Sequence, residues 1–226
     1  MNLTSGDYDN FIAASISLLF SFPGFVMYTL FIIGTLRSRD LRSQPYYVLA
    51  VAMGIPETIN LALFAIFFCP SVATGKVIGG RLFNKIATYI GTACFIASLP
   101  FVCALAINRY YCACYRERYK FAFSKHRLTF IVVFSYIFGL SCGLATLTCC
   151  PSGLHPEWYS YYWDPDVLGG VIAGYVELCL VGSTVTISMV FNMVVFLRYR
   201  KMHASIGDGI SGHEKVRQKR EFKLFI

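Results

Sequence analysis

Five long apolar stretches, none broken by a lysine or arginine, leave this chain little choice of fold. They run Phe11–Leu36, Tyr46–Cys69, Ile86–Ile107, Leu128–Cys150 and Leu168–Leu197, or 26, 24, 22, 23 and 30 residues. A helix rises about 1.5 Å per residue, so about 20 apolar residues cross the ~30 Å hydrocarbon layer of a bilayer. Every stretch is long enough, and five in succession do not fit a water-soluble core. The expected fold is all-α, a polytopic membrane bundle over residues 11–197, with a short N-terminal segment (1–10) and a basic segment (198–226) on either side.

The loops give the orientation, because basic residues are retained on the cytoplasmic side. Seventeen of the twenty Lys and Arg follow the first, third and fifth stretches. Only Lys76, Arg81 and Lys85 fall on the other side, together with Asp7, Asp9, Glu157, Asp164 and Asp166. The N-terminus is therefore expected outside and the basic tail inside. This topology accounts for the formal charge of +8 without a nucleic-acid partner; contact with anionic inner-leaflet lipid follows from it. No basic n-region precedes the first stretch, so no cleaved signal peptide is expected. Asn2-Leu3-Thr4 makes Asn2 a glycosylation candidate on the outer side.

Residues 204–213 read as a flexible linker. Beyond it a charged run from Glu214 gives way to Phe222, Leu224, Phe225 and Ile226. Two readings fit: the approach to a sixth crossing, or an amphipathic helix lying on the inner leaflet.

Asn108-Arg109-Tyr110 stands where the third stretch meets the basic loop, and Tyr119 and Phe123-Ser124 follow. A terminal arginine often just snorkels to the interface. The combination of third helix, flanking Asn and Tyr, and basic loop instead resembles the seven-helix G protein-coupled receptors. Gly24-Phe25 in helix one and Leu41-Arg42 in the first loop also match that wider superfamily, while the closer likeness, which the terminal Arg220–Ile226 shares, is to the nematode serpentine chemoreceptors of class X (Srx). The resemblance implies a rhodopsin-like architecture with five complete crossings and the start of a sixth. It implies a heterotrimeric G protein and an unknown small-molecule ligand as partners, no cofactor, and residence in the plasma membrane or a sensory cilium. Coupling would fall to Asn108, Arg109, Tyr110, Arg116 and Arg118, with Arg109 meeting the G protein when helices three and six separate.

The departures are specific. Asn108 replaces the usual acid, so the side-chain ion pair that restrains the arginine is missing. Tyr28 stands where helix one usually has Asn, and the usual helix-two Asp falls near Pro56-Glu57. Asn84 occupies the outer end of helix three in place of the disulfide cysteine, and the fifth stretch has no proline. Helices six and seven are not in the chain, which reads as a fragment or a truncated relative.

Glu57 and Glu177 are the only carboxylates inside the stretches, both roughly 14–17 Å deep. An ionisable group there costs at least ~2.5 kcal/mol, so each is expected to face protein or a cavity. One reading is a ligand pocket built on Glu57, Asn60, Glu177 and Tyr175; the other is a protonated carboxyl bonded to a neighbouring helix. Pro56 favours a kink beside Glu57. Gly139-x-x-x-Gly143 and Gly170-x-x-x-Gly174 allow close packing or dimerisation. Trp158, Tyr159, Tyr161, Tyr162 and Trp163 serve as interfacial anchors or as a cap over a ligand entrance.

Of nine cysteines, Cys69, Cys149 and Cys150 lie near the outer face, and a bridge from Cys69 to either of the others would tie helices two and four. Cys112 and Cys114 are sites for palmitoylation or free thiols. The scattered His and the lone Cys-x-Cys suit no metal site. No nucleophile elbow, zinc-peptidase helix or phosphate loop occurs, and an enzyme is not expected. The leading reading is a chemosensory receptor. A proton- or cation-coupled transporter or channel using Glu57 and Glu177, or a nonsignalling truncated relative, are the alternatives.

Overall fold

Lipid offers no water to backbone amides, so each apolar stretch satisfies its hydrogen bonds internally as a helix. The computed structural model describes residues 5–149, 152–155 and 160–207. Five of its helices are long and apolar enough to cross a membrane. The first span is α1 (Ser5–Arg37), followed by a single turn, α2 (Arg39–Arg42), capped by the Ser38 hydroxyl. The second span begins as α3 (Pro45–Leu63), widens into a π turn over Phe64–Phe68, and finishes as α4 (Cys69–Thr74). The third is α5 (Gly80–Cys114), and a short loop helix, α6 (Arg116–Ala122), joins it to the fourth, α7 (Lys125–Thr148). An antiparallel hairpin of β1 (Ser152–His155) and β2 (Ser160–Trp163) precedes the fifth span, α8 (Leu168–Gly207).

The helices overrun the apolar stretches, α5 at both ends and α8 beyond Leu197. Residues 204–207 are helical, where composition predicted the start of a linker. Ala204, Ser205 and Ile206 include no helix breaker. The rest of that linker, the 214–226 segment for which two readings were open, and Asn2, Cys150, Trp158 and Tyr159 lie outside the described residues.

Prolines explain the irregularities of the second span. Pro70 cannot donate to the carbonyl four residues back and its ring crowds it. The preceding turn widens, and the Cys69 amide reaches the Phe64 carbonyl five residues away. At Gly75, with φ of 62°, the chain turns into the left-handed region. The Gly75 amide then bonds the Val72 carbonyl at 3.0 Å and the Lys76 amide bonds that of Ser71 at 3.1 Å, closing the helix end.

Pro56 leaves the Ala52 carbonyl without its intrahelical donor. The Tyr136 hydroxyl, from the fourth span, donates to that carbonyl at 2.7 Å. A gap in one helix is filled by a side chain of another, and the helix continues through Pro56 instead of opening.

The third span is the axis. Half of its most apolar window is buried, against 6% for the first span and 11% for the fifth. The fourth span reaches it along Gly139 and Gly143. A Cβ on Gly139 would overlap the Ala93 carbonyl oxygen and stand 2.6 Å from the Ala97 Cβ; one on Gly143 would stand 2.8 Å from the Ala93 Cβ. This glycine pair is spent on packing within the chain. Around the perimeter, large apolar side chains such as Phe20, Ile66, Phe130 and Met189 are exposed, as lipid-facing residues are.

Replacing Tyr136 with Phe orphans the Ala52 carbonyl and should cost about 1–3 kcal/mol. In a Pro56→Ala background the new amide takes up that carbonyl and most of the cost should vanish. Thermal unfolding of the two single variants and the double variant measures the coupling; equal Tyr136→Phe losses in both backgrounds would refute this account.

Candidate functional site

Helical spacing builds a cavity of about 670 Å³ at the hairpin end of the bundle. The third span contributes Thr88, Gly91, Thr92 and Phe95, and the fifth contributes Gly174, Glu177, Leu178 and Val181. Each set steps by three, four and seven residues, which is one face of a helix. The second span adds Asn60, Phe64 and Phe68 across its π turn, and the Phe64 and Phe68 rings lie 4.6 Å apart. The hairpin supplies Ser152 and Trp163.

Of the four ligand-pocket candidates, two meet here. Asn60 and Glu177 both line the cavity, but Glu57 and Tyr175 do not. Tyr175 is two residues from Glu177, about 200° around the helix, and is 68% exposed on the perimeter. Glu57 is half-buried toward the first and third spans, within electrostatic range of Tyr28 and Cys94.

Glu177 has a partner that sequence did not assign: the Trp163 indole N–H donates to its carboxylate oxygen Oε2. The glycines make this contact accessible. A Cβ on Gly170 would overlap the Asp164 carbonyl oxygen, and one on Gly174 would touch the Trp163 ring at 3.6 Å. Gly170-x-x-x-Gly174 thus seats the end of the hairpin on the fifth span, where Trp163 reaches down to the acid. Two further hydroxyls at the cavity, on Thr88 and Ser152, are buried without a hydrogen-bond partner among the described residues.

The hairpin is also tied to the third span. Asn84, at the position where the receptor resemblance expects a disulfide cysteine, accepts the Leu154 amide at 3.3 Å. The proposed tie between spans two and four is not made: Cys69 is a buried free thiol packed with Ala14, Phe67, Val72 and Ala87. Cys149 lies exposed at the end of the fourth span.

At the opposite end of the third span, Asn108 is fully buried and its amide donates to the Tyr119 hydroxyl at 3.2 Å. Burial pushes the Tyr119 phenol up to about 12, with the Asn108 bond pulling weakly the other way, so the hydroxyl stays protonated at neutral pH. Asn108 therefore pins α6 to the helix end as a neutral hydrogen-bonding residue. Arg109 is exposed and donates from Nη2 to the Tyr46 hydroxyl at 2.9 Å, with its guanidinium carbon 5.5 Å from that ring's centre. A second-span phenol thus holds the guanidinium, beside an Asn108 that carries no charge. The Tyr110 ring lies 5.1 Å from that of Phe191 on the fifth span, while Arg116 and Arg118 are exposed on α6. Tyr110, Tyr115, Leu197, Arg198 and Lys201 line a second cleft of about 480 Å³. Tyr46, Tyr119 and Trp163 are the contributors that sequence reading missed as partners, because each acts from a different element than the residue it holds.

Squid rhodopsin shares this arrangement of helices, with a TM-score of 0.75 over 99% of the chain and 62% of rhodopsin, at 12% sequence identity. The chain therefore spans under two thirds of rhodopsin's length, and at that identity the likeness is one of fold. Among curated proteins none matches. The family model for serpentine type seven-transmembrane G protein-coupled chemoreceptors of class Srx matches residues 18–226. Five apolar spans, an Asn-Arg-Tyr end to the third, and a match over nearly the whole sequence agree: this multi-pass membrane chain belongs to the Srx serpentine chemoreceptor family.

Proposed function

We propose that the chain is part of a chemosensory receptor that takes a small ligand in the hairpin-side cavity and signals to a heterotrimeric G protein through Arg109. The observation that carries this reading is the third span itself. Its Thr88–Phe95 face lines the cavity, and Arg109 stands fourteen residues farther on, about 21 Å along the same helix. A ligand that shifts this helix moves both ends together. The hairpin and N-terminus are outside and the basic end inside, as the loop charges require. The protein then resides in the plasma membrane or a sensory cilium.

In the resting state the Tyr46 phenol holds Arg109, and Asn108 holds the loop helix through Tyr119. Activation releases Arg109 to the G protein, with Tyr110, Arg116, Arg118, Arg198 and Lys201 as neighbouring contacts. The two conformations differ in what the guanidinium touches, so a ligand favouring the released state shifts the population. Glu57 lies apart from the cavity that Glu177 lines, which argues against a transport path through both acids.

In membranes expressing the receptor, Arg109→Ala should abolish ligand-driven nucleotide exchange on the G protein while surface protein is retained. Unchanged exchange would end the coupling reading. Tyr46→Phe removes one hydrogen bond to the arginine, about 0.5–1.5 kcal/mol, and should raise ligand-independent exchange about twofold to tenfold. No rise, or a fall, would show that Tyr46 does not restrain the resting state.

A further inference from the structure

We infer that the ligand of the hairpin-side cavity is a small protonated amine, its ammonium on Glu177 and its apolar body against the aromatic wall. This rests on the reading of that cavity as the ligand site. Among the described residues that line it, Glu177 is the one acidic group, and none of them is Lys, Arg or His. Its carboxyl oxygen Oε2 already accepts from one neutral donor, the Trp163 indole, which orients the group and brings no charge of its own. A charge in such surroundings is stable only with a counter-charge or further donors. An ammonium supplies both. An anionic ligand would meet repulsion, and a neutral one would leave the carboxylate uncompensated.

The rings point the same way. Phe64, Phe68, Phe95 and Trp163 surround one cavity with the acid, and aromatic faces attract an ammonium within ~6 Å of their centres. An inorganic cation would instead need several oxygen ligands. The site offers one carboxyl and a wall of rings, which suits an organic cation. The unpartnered Thr88 and Ser152 hydroxyls accept the remaining N–H groups of a primary amine or pair with a polar substituent. Thr88 is 2% exposed, so its hydroxyl has no competing route to solvent.

Equilibrium binding to the purified full chain in lipid nanodiscs separates the possibilities with three probes of nearly equal shape: phenethylamine, 2-phenylethanol and phenylacetate. The amine should bind at least about tenfold more tightly than the alcohol, and phenylacetate most weakly. Glu177→Gln should bring amine and alcohol to within about twofold, whereas Glu177→Asp keeps the amine preference. Phe95→Leu, which spares the carboxyl, should weaken the amine more than the alcohol and guards against a misfolded Gln variant. If the alcohol or phenylacetate binds as tightly as the amine, or if Glu177→Gln keeps the preference, the ammonium assignment is overturned while the cavity remains a ligand site. Binding of none of the three overturns both the assignment and the reading beneath it.

Discussion

Backbone hydrogen bonds that lipid cannot supply shape everything else in this protein. Helices answer the constraint along most of the chain, and where proline breaks the ladder another element repairs it. Tyr136 reaches across from the fourth span to the Ala52 carbonyl that Pro56 abandons, and a π turn absorbs Pro70. Neither repair is decorative. The first couples the second span to the fourth across the third, and the second brings Phe64 and Phe68 to the cavity wall.

The third span gains its central place from small side chains. Ala93 and Ala97 meet Gly139 and Gly143, letting two helices approach at backbone distance. The hairpin end of the third span lines a cavity with an acid, four rings and two hydroxyls that have no partner among the described residues. Its basic end carries an arginine restrained by a phenol and an asparagine that fastens the loop helix. The arginine is held by a hydrogen bond and a ring contact in place of an ion pair.

The spans were legible because apolar length alone decides them, and the family because Asn108-Arg109-Tyr110 falls at a span end beside a basic loop. Glu177 and Asn60 stood out as polar groups that lipid would reject. Tyr175 was misassigned to the cavity for want of phase: Gly174, Glu177, Leu178 and Val181 share a face that position 175 leaves. Cys69 instead packs as a free thiol with Ala14 of the first span and Ala87 of the third, a meeting of helices that one-dimensional order does not disclose. Trp163, Tyr46 and Tyr119 were hidden for a related reason. Each holds a residue 14, 63 or 11 positions away, and such pairings exist only once the elements are packed.

Cavity and arginine can serve reception and coupling only if they lie on opposite faces of the membrane, the hairpin outward. Epitopes placed separately in the hairpin turn, between His155 and Ser160, and after Gly207 test this in intact and permeabilised cells. The hairpin epitope should be stained in intact cells, and the second only after permeabilisation. The reverse pattern, or staining of both in intact cells, would contradict the account.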